Sequence, residues 1–333
     1  MSKNYAVVGA TGAVGVEVLK VLENRNTDVG NLKLLASQRS AGKKMTFRGK
    51  EYTVEPLSDD SCRDVQVAIF SAGGSISKEY GPKAVSAGCV VVDNSSAFRM
   101  DPEVPLVIPE INPQDIKKHK GIIANPNCST TILLMAVYPI HKLYGVKKII
   151  VSTYQAASGA GAAAMQELED QAKAHLAGSA VPTQILPHQL AFNVFSHNSS
   201  MDAKTGYNQE EVKMINETHK ILGDDSISIS PTCIRVSTFR AHAESIHLEL
   251  ARKPDLAEVR KALADFPGVQ VLDEREANRF PMPLEVSGQD DVFVGRIRSD
   301  YGDSTTNNLQ LFVVGDQLLK GAALNAVQIA ELV

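Results

Sequence analysis

One cysteine of the four in this chain stands where a thiol can act as a nucleophile. Cys128 lies in Asn125-Pro-Asn-Cys128-Ser-Thr-Thr, directly before the apolar run Ile132-Leu-Leu-Met-Ala-Val137. The Asn/Pro cluster ends a strand, and Ser129 or Thr130 can open a helix, so Cys128 falls close to a helix N-terminus. The dipole and the open N–H groups there stabilise a thiolate. They serve equally well for the oxyanion formed when that thiolate attacks a carbonyl. The other three cysteines lack such surroundings: Cys62 lies in a polar loop, Cys89 begins a buried strand and Cys233 lies within one. None makes a C-x-x-C pair, which argues against a metal site and a disulfide framework. A thiolate also needs a base and a means of holding its substrate. Arg235 and His242 occur together in Cys233-Ile-Arg-Val-Ser-Thr-Phe-Arg-Ala-His242-Ala-Glu-Ser. The other histidines, among them His119, His175 and His219, read as structural or exposed.

A second chemical signal sits at the start of the chain. Gly9-Ala-Thr-Gly12-Ala-Val-Gly15 follows the apolar strand Tyr5 to Gly9 and opens a helix over Val14 to Glu23. Glycines there permit a tight turn and let backbone N–H groups meet a pyrophosphate at the positive helix end. The spacing is G-x-x-G-x-x-G, and Gly9, Thr11, Gly12, Ala13 and Val14 are the residues expected at a dinucleotide. The end of the second strand selects the cofactor. An NAD enzyme usually carries Asp or Glu there, whereas this chain has Ala36-Ser37-Gln38-Arg39-Ser40. The Arg39 guanidinium and the Ser37 and Ser40 hydroxyls suit a 2′-phosphate, so NADP is expected over NAD.

The elements that must position these residues change character along the chain. The first third alternates short apolar runs, such as Leu32 to Ala36, Val65 to Ser71 and Val90 to Asp93, with helical stretches. Such runs suit parallel strands buried on both faces, in a doubly wound α/β (Rossmann-like) domain. Beyond about residue 130 longer, alternating strands are expected at Lys147 to Tyr154, Ser226 to Ser230, Thr232 to Thr238, Ser245 to Ala251, Val292 to Arg298 and Leu309 to Val314. Helices near Ala160 to Ala177, Glu210 to Leu222 and Leu256 to Asp265 separate them, giving an α+β domain on a mostly antiparallel sheet. The last stretch, Leu318 to Leu332, reads as an amphipathic helix that returns to the first domain. The expected division is 1–130 plus 316–333 for the dinucleotide-binding domain and 131–315 for the catalytic and dimerisation domain. The proline-bearing but apolar segment Gly178 to Met201 is the candidate subunit interface.

Composition narrows the partners. Thirty-four basic and thirty-eight acidic residues give a formal charge of −4 without strong blocks of either sign, which points to neither nucleic acid nor an anionic membrane. Apolar runs such as Ile132 to Val137 are far shorter than a membrane span. The start, MSKNYAVVGATG, shows no charged-then-apolar leader, so the cytoplasm is the expected compartment.

Taken together, GATGAVG, the SQRSAG turn, the Ser95 to Arg99 run SSAFR, NPNCST around Cys128 and Gln155-Ala-Ala-Ser-Gly-Ala-Gly161 resemble the aspartate-semialdehyde dehydrogenase family. So do Glu210-Glu-Val-Lys213, the Arg235 to His242 segment and the C-terminal GAALNAVQIAE. The resemblance spans essentially the whole chain. It implies Cys128 as the nucleophile that carries an acyl-enzyme thioester, His242 as general acid/base and Gln155 as the group orienting the intermediate. It further implies Arg235 for the substrate α-carboxylate, Glu210 for the ammonium, and Arg99 with Lys213 for phosphate. Ser158, Gly159 and Gln317 would join the Gly12 loop, Arg39 and Ser40 at NADP. The implied substrate is β-aspartyl phosphate, reduced to aspartate β-semialdehyde by a homodimer. Glu211 beside Glu210 leaves open which carboxylate faces the substrate. An N-acetyl-glutamyl-phosphate reductase or a glyceraldehyde-phosphate dehydrogenase is the nearest rival reading, and a non-catalytic NADP-binding redox sensor is the rival of another class.

Overall fold

The apolar run at the N-terminus becomes β1 (Lys3–Val8), whose Tyr5 to Val8 are buried because the strand runs through the middle of a parallel sheet. The computed structural model describes residues 2–303 and 305–333; Met1, the first residue of the start MSKNYAVVGATG, lies outside them. Around β1 follow α1 (Ala13–Asn24), β2 (Val29–Ala36), a hairpin of β3 (Lys44–Phe47) and β4 (Lys50–Thr53), β5 (Glu55–Pro56), β6 (Val67–Phe70), α2 (Gly74–Ser86), β7 (Val90–Asp93) and β8 (Ile122–Ala124). The six-stranded order is β5-β2-β1-β6-β7-β8, with its pairings parallel. Strand order reverses between β2 and β6 on either side of β1, so the carboxyl end of β1 is a topological switch point. Gly9 sits there.

The chain divides into residues 1–127 plus 321–333 and residues 128–320. The second unit comprises α3 (Cys128–Tyr144), β9 (Val146–Gln155), α4 (Ala162–Leu176), β10 (Val194–Ser196), α5 (Gln209–Leu222), β11 (Ser228–Val236), β12 (His242–Leu250), α6 (Leu256–Ala264), β13 (Val269–Val271), α7 (Pro283–Val286), β14 (Val292–Arg298) and β15 (Asn308–Gly315). Its seven strands run in the order β10-β11-β9-β12-β15-β14-β13. Four of the six pairings are antiparallel, and β11–β9 and β14–β13 are parallel. Strand β9 alternates strictly: Ile149, Val151, Thr153 and Gln155 are buried, whereas Ile150 and Tyr154 are exposed on the other face.

Two local expectations need correction. Ser226 to Ser230 and Thr232 to Thr238 form one strand, β11, because its parallel pairing with β9 continues through Pro231, opposite Val151. The proline is accommodated because β10 reaches only as far as Ile234, leaving that edge of β11 open. The C-terminal helix α8 (Leu324–Leu332) is not amphipathic: Leu324, Asn325, Ala326, Val327, Ile329 and Ala330 are all buried. A turn of π-helix over Leu319–Ala323 precedes it. Asn325, the polar member of this run, donates to the Val107 carbonyl at 2.9 Å, which satisfies its amide inside the first unit. No helix among the described residues is long and apolar enough to cross a membrane.

Candidate active site

The register of the second unit's sheet sets three of the expected site residues side by side. Arg235 pairs with Gln155 across β11 and β9. Ala243 pairs with Tyr154 and Glu244 with Thr153, so the face of β12 that carries Glu244 also carries His242 beside Gln155. Arg235, Gln155 and His242 are thus a row across one covered face, each of them buried. Helix α3 packs against strands of the same sheet, and its first residue is Cys128. The thiol is half-buried, whereas Cys62, Cys89 and Cys233 are buried. No acidic residue occupies the first turn of α3, so nothing within the helix offsets its positive end. Cys128 lies within electrostatic range of Arg235.

Arg235 is a buried cation held from several sides. Its Nη1 donates to the Ala156 carbonyl at 2.6 Å, and Nη2 donates to His197 Nε2 at 2.8 Å and Asn198 Oδ1 at 3.0 Å. Its Nε has no hydrogen-bond partner among the described residues. Burial depresses the pKa of the guanidinium, while the charges of Cys128 and Glu210 counteract the shift. A buried guanidinium with a donor to spare is suited to an anionic ligand.

His242 accepts a hydrogen bond at Nδ1 from the Ala156 N–H, 3.1 Å away. In the neutral ring the proton therefore resides on Nε2, the nitrogen with no hydrogen-bond partner among the described residues. Burial, then Arg235, lowers the His242 pKa to about 3. His197 is lowered to about 4, first by burial, with Arg235 and Lys213 adding to the effect. Because guanidinium only donates, His197 Nε2 accepts from Arg235, while Nδ1 lies 3.2 Å from the Ser199 N–H and 3.1 Å from Ser199 Oγ. Both folded pKa values lie below the ordinary 6.5. The unfolded chain therefore takes up these protons first, and each histidine removes stability as pH falls from 6.5 towards its folded value. In His197→Asn that contribution is gone, so the stability advantage of wild type over the variant shrinks between about pH 7 and about pH 5. Denaturant midpoints at the two pH values test this, and an unchanged advantage would refute it.

The two adjacent glutamates separate cleanly. Asn208 and Glu211 form a capping box at the start of α5, and Glu211 also accepts from the Cys233 N–H at 2.9 Å. Its oxygens thus serve the backbone. Glu210 instead accepts from Gln155 Nε2 at 3.2 Å and pairs with Lys213 Nζ at 3.0 Å. Of the two, Glu210 belongs to the row.

Ser158 and Gly159 lie in the short 3-10 turn after β9. A Cβ on Gly159 would stand 3.2 Å from Arg235 Nη1 and from His242 Cε1 and Nε2. The glycine allows the backbone to close over the pair. Gly159→Ala is expected to lower kcat/KM by about tenfold or more with the fold retained, since small displacements at reacting groups are expensive. Wild-type kinetics in a folded variant would count against this packing. Gln317 is buried, with Nε2 donating to Ser158 Oγ and Oε1 accepting from the Ala241 N–H at 2.9 Å.

The first unit holds the remaining expected residues. Gly9 has φ +86°, and a Cβ there would meet the Ser71 carbonyl oxygen at 2.5 Å. Only glycine fits this turn. The N-cap of α1 is Gly12, with no side-chain cap and no acidic residue in the first turn, so the helix offers bare N–H groups. Ala13 and Val14 form its first turn. Thr11 Oγ1 donates to Ser40 Oγ at 3.2 Å, linking this loop to the turn after β2. Ser37 and Arg39 in that turn are exposed, and neither it nor α1's first turn brings a carboxylate. This arrangement fits a nicotinamide dinucleotide. Arg99 is buried, with Nε donating to the Asn125 carbonyl at 2.9 Å and Nη2 to the Asn94 carbonyl at 2.8 Å.

Sequence patterns missed His197 and Asn198, the residues that hold Arg235, and Thr153, whose hydroxyl donates to Gln155 Oε1 at 3.0 Å. His197 and Asn198 follow the three-residue strand β10, and no local signal marks them. The alternation of β9 was the available clue to Thr153.

Known proteins of like sequence and structure agree on the family. The domain described as "Semialdehyde dehydrogenase, NAD binding domain" matches residues 4–119, and "Semialdehyde dehydrogenase, dimerisation domain" matches residues 137–320. The chain is 51% identical over 336 residues to the aspartate-semialdehyde dehydrogenase of Aquifex aeolicus, covering all of this chain (100%) and 98% of that one. It is 50% identical to that of Synechocystis sp., covering 98% of this chain and 96% of the relative. The crystal structure of aspartate semialdehyde dehydrogenase II from Vibrio cholerae superposes with a TM-score of 0.95 at 43% identity, covering 100% and 98% of the two chains. A structure of the Vibrio cholerae protein complexed with ASA matches at the same TM-score, 0.95, and 42% identity. With both domains matched and this identity held along its length, the chain belongs to the aspartate-semialdehyde dehydrogenase family.

Proposed function

We propose that this protein reduces β-aspartyl phosphate to aspartate β-semialdehyde and phosphate, using NADPH and a thioester on Cys128. The observation that carries the reading is the buried row of Arg235, Gln155 and His242 in the unit whose first helix begins at Cys128. The Cys128 thiolate, favoured by the α3 N-terminus and by Arg235, attacks the acyl carbon and expels phosphate. Arg235 binds the α-carboxylate with its remaining donors, and Glu210 accepts from the substrate ammonium. Gln155 Nε2 orients the thioester. His242 presents its Nε2–H to the oxyanion of the tetrahedral intermediate as a hydrogen-bond donor, and phosphate departs as an anion. Arg99 and Lys213 are the cations assigned to phosphate.

NADPH, when bound, supplies the hydride that turns the thioester into aldehyde and frees the Cys128 thiolate. Gly9, Thr11, Gly12, Ala13 and Val14 would hold its pyrophosphate. Ser37, Arg39 and Ser40 would hold the 2′-phosphate, which is the reason to favour NADP over NAD. Ser158, Gly159 and Gln317 complete the set. The exposed sheet face with Ile150 and Tyr154, together with exposed Ile185, Phe192, Val194 and Met201, supports a homodimer. A monomer by size exclusion with light scattering would sink that assignment. Free thiols suit a reducing cytoplasm. The test of the activity is NADPH formation from aspartate β-semialdehyde with and without inorganic phosphate. Phosphate-dependent formation is expected. Activity only with the N-acetyl-glutamate semialdehyde would overturn the substrate, because an acylated nitrogen gives Glu210 no partner.

A further inference from the structure

The outer edge of the second unit's sheet is the short strand β13, and the chain beyond it runs on beside β14, with the Leu272 N–H donating to the Val294 carbonyl at 2.9 Å. The register of β14 shifts between Gly295 and Arg298, and inside that bulge Arg296 has φ +56°, a left-handed conformation that L side chains rarely adopt. The carboxylate of Asp273 holds it there. Its side chain is only 2% exposed, and Oδ1 accepts from the Arg296 N–H at 2.7 Å. Oδ2 is ion-paired with Arg260, and Arg275 stands 3.8 Å from the same oxygen. Arg260 and Arg275 also donate to one acceptor, the Ile297 carbonyl, at 3.1 and 2.6 Å. Arg298 Nη1 donates to the Arg296 carbonyl at 2.7 Å, and the Arg296 guanidinium lies 5.0 Å over the Phe280 ring.

Arg275, Arg296 and Arg298 line one cavity of about 280 Å³, together with Asp273, Asn278 and Phe280. Asp273 is the one carboxylate among these, and Arg260 already matches its charge. Glu274 and Glu276 line an adjoining cavity, where Glu274 faces Arg279 at 3.6 Å. Among the described residues neither Arg296 nor Arg298 has an ion-pair partner. Positive charge is therefore in excess in the smaller cavity; burial, then the Arg296 charge, lowers the Arg298 pKa. Guanidiniums gathered this closely repel one another, and an anion between them turns the repulsion into charge-assisted hydrogen bonds. The place is separate from the row of Arg235, Gln155 and His242. Arg298 pairs with Gln310 on β15, and Gln310 with His247 on β12, about 17 Å along that strand from His242 at about 3.4 Å per residue. We propose that this cavity binds a small oxyanion carrying two or more negative charges, with phosphate or carboxylate oxygens forked by Arg275, Arg296 and Arg298. The strained bulge and the buried Asp273 serve to aim these guanidiniums into one space.

Two substitutions test the site. Arg296→Gly removes a guanidinium and suits the left-handed backbone, so the variant should fold as well as wild type. Arg298→Gln keeps a long polar side chain without the charge. The protein, saturated with NADP at low salt, is titrated calorimetrically with inorganic pyrophosphate and, in a second arm, with citrate. At least one should bind wild type with a Kd below about 1 mM, and each substitution should weaken that binding about tenfold or more. The tighter probe identifies the oxygen chemistry, phosphate or carboxylate. Lys213→Gln, which removes a cation assigned to the substrate phosphate, should bind the same probe as wild type does. No binding of either probe to wild type, undiminished binding in Arg296→Gly and Arg298→Gln, or loss confined to Lys213→Gln would overturn the proposal. The readout is binding, so its failure is distinct from a failure of the dehydrogenase reading.

Discussion

Cys128→Ala is expected to bind NADPH within about twofold of wild type and to turn over about ten-thousandfold more slowly or not at all. In the proposed mechanism the sulfur of Cys128 is the atom that becomes acylated. Cys62, Cys89 and Cys233 are buried, and burial raises the Cys233 thiol far above the range in which a thiolate forms. Cys128 is the first residue of α3, whose first turn carries no acidic side chain, and Arg235 lies within electrostatic reach. Alanine removes the nucleophile without disturbing a helix that already favours small residues at its start. The residues proposed for the pyrophosphate and the 2′-phosphate, Gly9 to Val14 and Ser37 to Ser40, belong to the first unit and are left unaltered by the substitution. Fluorescence titration with NADPH and steady-state reduction of β-aspartyl phosphate separate the two effects. Residual turnover of a tenth or more would remove Cys128 from the mechanism.

Arg235→Lys should be nearly as severe, lowering kcat/KM by about a hundredfold or more although the charge is kept. Arg235 makes three directed contacts, to the Ala156 carbonyl, His197 and Asn198, and retains Nε for a ligand. A lysine ammonium has three donors on a single atom and cannot span that geometry and also fork onto a carboxylate. The Ala156 peptide held by Arg235 at its carbonyl donates from its N–H to His242 Nδ1. The substitution therefore loosens the histidine as well as the carboxylate site, and both KM and kcat should suffer. A variant with unchanged KM for aspartate semialdehyde would show that the α-carboxylate is bound elsewhere.

These two residues also mark how much was readable before the fold was known. The place of Cys128 at a helix start was legible because helix starts are written locally in residues such as Asn125-Pro-Asn-Cys128-Ser-Thr. The dinucleotide loop was legible for the same reason: Gly9 and Gly12 answer to a tight turn between one strand and one helix. Alternating and continuous apolar runs likewise pointed to a parallel sheet followed by a mostly antiparallel one, and the family resemblance implied the residue roles. Glu210 and Glu211 could not be told apart by type, since adjacent helix positions point to different neighbours and only α5's docking onto β11 consigns Glu211 to the backbone.

What the sequence by itself determined was therefore the set of local devices: a thiol at a helix start, a glycine cradle after a strand, and a cofactor turn without a carboxylate. Tertiary structure alone decided which side chains share a row. Arg235, Gln155 and His242 come from three strands, and their alignment depends on the registers of β11 with β9 and of β9 with β12. A shift of one residue in either pairing would turn the side chains to the opposite face. Register is chosen by burial of the whole face, so no local pattern could announce that His197 braces Arg235 or that Glu244 lies beneath the row.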